Sequence, residues 1–178
     1  MTPLIRTFYL DACVIIDLRE KANGANALGR TPGLLRELFG WATRGWCRVM
    51  TSELSIAECL VEPLRAGSSP RTDTEDAMRR ANWYRTAIDV DGAIAAVAIS
   101  RDILERASEL RARHRSIKLP DAIHLASAEM AGVEAFITRD SRLARWFDPE
   151  RAPLLKGVSL VPATEAWLEH TLSELRPT

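Results

Sequence analysis

Short apolar runs with the length of buried strands alternate with longer segments of helical periodicity along this chain. The predicted strands cover residues 4–10, 47–50, 134–138 and 154–161. The predicted helices cover residues 31–44, about 51–64, 75–87, 92–113, a segment beginning at Pro120, 141–147 and 164–175. Because strands that alternate with helices are joined by crossover connections, this order predicts a mostly parallel sheet covered on both faces. The expected fold class is therefore α/β, a three-layer α/β/α sandwich.

The length and composition favour a single domain over residues 1–178. A chain of 178 residues, 47% hydrophobic and 27% charged, is large enough to bury a core and has an ordinary globular composition. Residues 63–75 carry Pro, Gly, Ser and Thr with little apolar content. We interpret them as a surface loop and not as a domain linker, because neither half of the chain makes a convincing core alone.

Several classes of protein are disfavoured by the composition. No segment has the uninterrupted apolar length of a membrane helix, and the first apolar run is too short for a signal peptide, so we expect a cytoplasmic protein without membrane contact.

The three cysteines, Cys13, Cys47 and Cys59, have the spacing of neither a disulfide framework nor a zinc site. The 24 basic and 24 acidic residues cancel, so net charge does not indicate nucleic acid. Of the basic residues, 21 are Arg, which suits phosphate contacts but also fits a general compositional bias.

Two acidic residues lie at the ends of strand-like runs, one immediately after its run and the other one residue further on. Asp11 closes the run TFYL, and Asp140 follows AFIT after Arg139. In open parallel sheets, ligands bind beyond the carboxyl ends of the strands, where both acids are expected. Two carboxylates brought together there need a cation, or one of them must stay protonated.

Two further acids are candidates for the same site. Asp121 lies in the first turn of the helix PDAIHLASAEM, where an acid also favours the helix dipole without any other role. Glu58 lies at the edge of an apolar helical stripe. Glu53 and Glu62 compete with Glu58, which also has capping-box spacing from a serine three residues earlier.

Together the four carboxylates suggest a hard-cation site, for which Mg²⁺ or Mn²⁺ is the expected cofactor. The phosphate loop GxxxxGK and the nucleophile elbow GxSxG are both absent from the sequence. His124 lies one turn after Asp121, and we expect it to be packed or to support a ligand.

The predicted substrate contacts are weaker signals. Thr138 and Ser141 have hydroxyls that could donate to a phosphate oxygen, although strand-end and capping chemistry explains them equally well. A basic segment comprises Arg111, Arg113, His114, Arg115 and Lys118; it could guide an RNA backbone or simply complement a helix dipole. A second basic rim comprises Arg139, Arg142 and Arg145.

Four sequence blocks carry a resemblance to a known family. They are YLDACVIIDL, TSELSIAECL, LPDAIHLASA and AFITRDSRL. In these blocks the chain resembles the PIN-domain nucleases and, within them, the VapC-type toxins of toxin–antitoxin pairs. The resemblance runs from Tyr9 to about Val161 and is weaker over residues 65–90. It selects Glu58 over Glu53 and Glu62.

The resemblance implies an α/β/α endoribonuclease that uses Mg²⁺ or Mn²⁺ to cleave RNA phosphodiesters. It implies that Asp11 and Asp121 contact the metal, with Glu58 and Asp140 completing the shell. It also implies a small antitoxin partner and a homodimer, and we expect an apolar rim near Trp41, Trp46 and Leu60 to receive the partner. The alternatives are a housekeeping RNA-processing nuclease, a silent PIN-like binding module, and a haloacid-dehalogenase-like phosphatase, whose second Asp would fall at Cys13.

Overall fold

The computed structural model describes residues 5–20, 29–68, 73–89, 93–146 and 154–175. These residues form six strands, seven α-helices and one 3₁₀ helix. The strands are β1 (Arg6–Leu10), β2 (Cys47–Ser52), β3 (Ile88–Asp89), β4 (Ile94–Val97), β5 (Ala135–Thr138) and β6 (Ser159–Pro162). The helices are α1 (Ala12–Glu20), α2 (Thr31–Thr43), α3 (Leu54–Gly67), α4 (Thr74–Ala87), α5 (Arg101–Arg113), α6 (Leu119–Ala131) and α7 (Glu165–Leu175), and the 3₁₀ helix is Ser141–Trp146.

All six strands belong to one sheet in the order β3-β4-β2-β1-β5-β6. Every pairing between neighbouring strands is parallel. β1 lies between β2 and β5, so the first strand of the chain occupies the middle of the sheet. The predicted α/β/α class is confirmed.

Helices cover both faces of the sheet, and the side chains of β1 show why. Phe8 and Leu10 lie in a core with α1, α2, α3, α4 and α7. Tyr9 points to the opposite core, which contains side chains of α5, α6 and the 3₁₀ helix. Because successive strand side chains point to opposite faces, a strand with two covered faces needs apolar residues at consecutive positions. This explains the uninterrupted run in β1.

The predicted helix over residues 92–113 is wrong in its first part. The structure has β4 there, paired with both β2 and β3, and α5 begins only at Arg101. The side chain of Ser100 caps α5 by accepting a hydrogen bond from the backbone N–H of Ile103. A run of buried apolar residues fits helix and strand equally well by periodicity, and pairing with β2 decides for the strand. Residue 92 lies outside the described residues.

The boundaries of α3 and α4 also differ from the prediction. α3 continues through Pro63 to Gly67, and α4 begins at Thr74, so the predicted loop 63–75 is shorter than expected. Residues 69–72 of that loop lie outside the described residues. Elsewhere α1 was not predicted from the sequence, and β6 occupies only the end of the predicted strand 154–161. Among the helices of the described residues, none is long and apolar enough to cross a membrane.

One ion pair joins the two helices on the second face of the sheet. The Nε of Arg106 in α5 donates to Oε2 of Glu129 in α6 at 2.5 Å, and Nη2 donates to Oε1 at 3.1 Å. The backbone N–H of Lys156 donates to the same carboxylate at 2.6 Å. Burial alone would raise the pKa of Glu129, but the hydrogen bonds from Arg106 and Lys156 outweigh it and lower that pKa. The ionised form of Glu129 therefore stabilises the packing of α5 on α6.

We predict that Glu129→Gln lowers the free energy of unfolding by about 1–3 kcal/mol at pH 7. The folded-state pKa of Glu129 lies below its unfolded value, so the unfolded chain binds more protons between the two. The stabilisation is therefore complete above the unfolded pKa and is lost as pH falls through the folded one. Urea denaturation at pH 7, 5 and 3 measures this loss.

Glu105→Gln is the matched control for this prediction. Glu105 is also paired with an arginine of α5, but its side chain is 65% exposed. Its replacement should change the unfolding free energy by only a few tenths of a kcal/mol. A difference between wild type and Glu129→Gln that stayed constant across the pH range would contradict the role of the ionised carboxylate.

Candidate active site

The pairing of β1 with β5 positions Asp11. The backbone N–H of Asp11 donates to the carbonyl oxygen of Ile137 at 3.0 Å, which extends the ladder by one residue beyond β1. The carbonyl oxygen of Asp11 accepts from the backbone N–H groups of Val14 and Ile15, which begins α1. Asp11 is thus held on both sides by backbone hydrogen bonds at the carboxyl edge of the sheet.

Thr138, the last residue of β5, is hydrogen-bonded to both Asp11 and Asp140. Its buried hydroxyl donates to Oδ2 of Asp11 at 2.5 Å and accepts from the backbone N–H of Asp140 at 3.0 Å. A hydroxyl has one proton to donate, and here Asp11 receives it. The hydroxyl that the sequence suggested for a phosphate therefore orients Asp11 in this structure.

Cys13 contacts the same carboxylate oxygen, and its sulfur lies 3.7 Å from the hydroxyl oxygen of Thr138. Its thiol donates to Oδ2 of Asp11 at 3.3 Å. Burial, with the charge of Asp11 adding to it, raises the pKa of the Cys13 thiol to about 12. The thiol therefore stays protonated at neutral pH and acts as a hydrogen-bond donor to Asp11, not as a metal-binding thiolate.

Asp140 immediately precedes the 3₁₀ helix and caps its first turn. Its Oδ1 accepts from the backbone N–H of Arg142 at 2.9 Å. Ser141, predicted as the cap of this helix, is instead its exposed first residue. An aspartate readily accepts from the N–H two residues onward, and this geometry gives Asp140 the capping role.

Asp121 is the third residue of α6, two positions after Leu119 begins that helix. A backbone hydrogen bond from Lys118 reaches its carboxylate, so the helix-start role considered from the sequence is present. Burial raises the pKa of Asp121, the guanidinium of Arg142 opposes this, and the charges of Asp140 and Asp11 add to the increase. The three aspartates therefore interact electrostatically across three elements of the fold.

Arg142 bridges two of these aspartates. Its Nε lies 2.9 and 2.8 Å from the two carboxylate oxygens of Asp140, and its Nη2 lies 2.5 Å from Oδ2 of Asp140. The same Nη2 lies 3.3 Å from both oxygens of Asp121. Burial alone would raise the pKa of Asp140, but the hydrogen bonds and charge of Arg142 outweigh it and lower that pKa. The sequence had placed Arg142 only on a possible basic rim.

Glu58 is held by a separate chain of hydrogen bonds. Its Oε2 lies 2.7 Å from Nε2 of His124, and Nδ1 of the same ring lies 2.9 Å from the hydroxyl of Tyr9. His124 is only 2% exposed, as the sequence led us to expect of a packed histidine. Burial strongly raises the pKa of Tyr9, so its hydroxyl remains protonated. In the tautomer that carries its proton on Nε2, the ring donates to Glu58 and its Nδ1 accepts from the hydroxyl of Tyr9.

The donor set fits a hard divalent cation by its chemistry. The four acids offer carboxylate oxygens, whereas the nearby Cys13 stays protonated and both nitrogens of His124 are engaged. In the parts of the chain that the structure describes, however, no three His, Cys, Asp or Glu side chains converge as a metal site requires. The aspartates are bound by Thr138 and Arg142, and Glu58 is bound by His124.

The basic residues predicted to contact substrate differ in exposure and in their partners. Arg113 ends α5, and Arg115 and Lys118 lie in the connection to α6. All three residues are exposed, and the charge of Lys118 helps to lower the pKa of Asp140. Arg139 pairs with the buried carboxylate of Asp17 in α1. The side chain of Arg145 lies outside the described residues.

Comparison with protein families assigns the chain. Residues 8–146 match the PIN domain family, and this range covers most of the sequence. The chain therefore belongs to the PIN domain family, whose members are generally nucleases that use divalent metal ions. No curated protein sequence matches the chain at a significant level.

Solved structures with a similar fold include toxin–antitoxin complexes. The chain is similar to VapBC2 from Rickettsia felis bound to a DNA fragment from their promoter, with 11% identity and a TM-score of 0.57 over 88% of this chain and 98% of that chain. It is also similar to a toxin–antitoxin complex from Klebsiella pneumoniae, with 24% identity and a TM-score of 0.49 over 76% of this chain and 89% of that chain. At 11% sequence identity, the likeness to VapBC2 is evidence for a shared fold alone.

We predict that Tyr9→Phe lowers the free energy of unfolding by about 1–3 kcal/mol, because it leaves Nδ1 of the buried His124 without a partner. The second tyrosine, Tyr84, provides a matched control. Its hydroxyl donates to Glu20 at 2.9 Å, but Glu20 keeps its ion pair with Arg80 when that hydroxyl is removed. Tyr84→Phe should therefore cost less, and urea denaturation of both variants measures the difference. Equal losses would contradict the role of Tyr9 as the partner of His124.

Proposed function

We propose that the chain is a divalent-metal-dependent endoribonuclease of the VapC type, the toxin component of a toxin–antitoxin pair. What supports this proposal is a PIN-family sheet with Asp11 and Asp140 at its carboxyl edge, both hydrogen-bonded to Thr138, and the effect of their charges on Asp121. Burial raises the pKa of Asp121, the charges of Asp140 and Asp11 add to the increase, and Arg142 partly neutralises the group. Such a group of carboxylates is suited to a divalent cation.

In this proposal Asp11 and Asp121 hold Mg²⁺ or Mn²⁺ directly, and Glu58 and Asp140 complete the shell. When bound, the cation supplies Lewis-acid chemistry that neutralises charge on the phosphodiester undergoing hydrolysis. The hydrogen bond from Thr138 keeps Oδ2 of Asp11 in one orientation. His124 does the same for Glu58, because its ring is buried and held at both nitrogens.

The substrate in this proposal is RNA, drawn to the site by the exposed basic residues Arg113, Arg115 and Lys118. The hydroxyl of Ser141 is exposed beside Asp140 and can donate to a phosphate oxygen. Thr138 can do so only if it releases Asp11. Ser141 is therefore the better of the two predicted hydroxyl contacts.

The proposed partner is a small antitoxin that presents an Arg or Lys to the acidic edge, where its charge substitutes for the metal. The predicted apolar rim needs correction, because Trp41 is buried in the core while Trp46 is 43% exposed. The exposed apolar side chains Val61 and Leu64 continue along α3 from Glu58. A small antitoxin with an apolar segment fits this surface, and the structural likeness to VapBC2 supports such a partner by analogy. Homodimerisation and a single domain over 1–178 remain predictions.

We predict that Asp11→Asn, Glu58→Gln, Asp121→Asn and Asp140→Asn each reduce RNA cleavage on the order of a hundredfold while keeping the fold. The reason is that each removes one charged oxygen ligand from the cation. The measurement is cleavage of a labelled RNA in Mg²⁺ or Mn²⁺, with EDTA expected to abolish it, and circular dichroism to check folding.

Glu62→Gln is the matched control for Glu58→Gln. Glu62 lies one turn further along α3, is 73% exposed and pairs with Arg65. Its replacement should leave cleavage unchanged, whereas equal residual cleavage in all four acid variants would reveal a contaminating ribonuclease. Wild-type activity in the Asp11, Glu58 or Asp121 variant would remove that residue from the site. No metal-dependent cleavage by any preparation would favour the binding-module alternative.

We also predict that expression of the chain arrests bacterial growth and that a small neighbouring-gene product relieves the arrest by forming a complex with it. Asp121→Asn should remove the arrest, because in this proposal the arrest arises from cleavage. Growth curves and total RNA integrity measure both effects in parallel, and co-purification measures the complex.

Asp102→Asn is the control for growth, since Asp102 is an exposed first-turn acid of α5, as Asp121 is a first-turn acid of α6. It should remain toxic. Arrest by Asp121→Asn with intact RNA would contradict a nuclease toxin. Cleavage in vitro without any arrest on expression would favour the housekeeping nuclease.

A further inference from the structure

The guanidinium of Arg142 occupies carboxylate oxygens that a metal would need. It contacts both oxygens of Asp140 at 2.5–2.9 Å and both oxygens of Asp121 at 3.3 Å. The proposed metal shell includes these same two residues. A carboxylate oxygen has more than one lone pair, so the competition is electrostatic: a divalent cation bound to these two carboxylates would repel a guanidinium that stays on the same oxygens.

The position of Arg142 lets it leave. Its side chain is 48% exposed, whereas those of Asp121 and Asp140 are 20% and 15% exposed. Arg106 differs, because its side chain is 23% exposed and bound to a carboxylate that is 12% exposed. Ion pairs with a solvent-exposed partner are weak, and they exchange with solvent ions more readily than buried ones. Arg142 is thus a removable cation attached to the rim of the acidic edge.

The displaced side chain stays tethered beside the site. Arg142 belongs to the 3₁₀ helix that begins one residue after Asp140. Its planar group of N–H donors matches the oxygens of a phosphate as well as those of a carboxylate. A phosphodiester held at the metal would therefore lie within reach of the freed guanidinium.

We propose that Arg142 is an exchangeable internal counter-ion: it neutralises Asp121 and Asp140 until a divalent cation takes these carboxylates, and it then binds the phosphate of the RNA. This inference rests on the proposed function. It assigns one side chain two successive partners, and it explains why the acids are stable together before the metal arrives. No covalent bond is made or broken in the exchange.

The first test is Mn²⁺ binding by the full chain, measured by electron paramagnetic resonance of the free ion. Arg142→Gln removes the competing cation, so its dissociation constant should fall roughly threefold to tenfold below that of wild type. Arg142→Lys keeps the charge and should stay within about twofold of wild type. Arg101→Gln is the control, since Arg101 is an exposed arginine that pairs with Glu105 within α5; its replacement should leave Mn²⁺ binding unchanged. Equal or weaker Mn²⁺ binding by Arg142→Gln would overturn the inference, because Arg142 would then only anchor Asp140.

The second test follows the guanidinium itself. The ¹H–¹⁵N resonance of the Arg142 Nε–H group, assigned by its loss in Arg142→Gln, should shift when diamagnetic Mg²⁺ is added. The Nε–H resonance of Arg106, bound to Glu129 away from the acids, should stay in place. An unshifted Arg142 resonance at saturating Mg²⁺ would show that no exchange occurs.

The third test concerns the phosphate. At saturating Mn²⁺, Arg142→Gln should raise the KM for RNA by roughly tenfold, with a partial rescue by lysine. An unchanged KM would remove the phosphate role. Failure of the proposed function can be distinguished from failure of the exchange. If only the proposed function fails, wild type binds Mn²⁺ without cleaving RNA, and the first two tests still report the exchange. If wild type and Asp11→Asn bind Mn²⁺ equally, the metal is not at this site and both proposals fail.

Discussion

The parallel pairing of β1 with β5 at the middle of the sheet is the constraint on which the site depends. It joins the N–H of Asp11 to the carbonyl of Ile137 and brings the hydroxyl of Thr138 to the carboxylate of Asp11. Because the two strands are parallel, their carboxyl ends coincide at one edge, and residues 127 positions apart in sequence become hydrogen-bonded. The apolar side chains of β1, buried on both faces, maintain this pairing.

That pairing leaves an excess of negative charge at the carboxyl edge of the sheet, where the aspartate side chains are partly buried. The structure compensates it with several weak positive contributions instead of one strong one. Thr138 and Cys13 donate to Asp11, the backbone of Lys118 reaches Asp121, and Arg142 bridges Asp121 and Asp140. Since desolvation still raises the pKa of Asp121, the compensation is incomplete. Incomplete compensation is the physical condition under which an added cation binds favourably.

The hydrogen-bond network of Glu58, His124 and Tyr9 is connected to the aspartates through α6, which carries both His124 and Asp121. Glu58 lies on α3, but its partner His124 lies on α6, three residues after Asp121. Residues three apart on a helix share a face, so α6 presents one acid of the site and the support of another. The burial of His124 between Tyr9 and Glu58 makes that support rigid. In this way the second core of the fold contributes directly to the position of a predicted ligand.

The sequence by itself determined the alternating order of strands and helices, the parallel α/β class, the PIN resemblance and the candidate acids, because hydrophobic periodicity and short motifs are local properties. It failed where a local pattern was ambiguous, as at β4, which fits a helix until β2 pairs with it. Only the tertiary structure decided that Thr138 orients Asp11, that Asp140 caps the 3₁₀ helix instead of Ser141, and that His124 holds Glu58. The tertiary structure also showed which of the 21 arginines bridges two of the acids: Arg142 contacts both Asp121 and Asp140. The physical reason is that such roles depend on distances between atoms from different elements, which the packing of helices on the sheet sets and no spacing along the chain encodes.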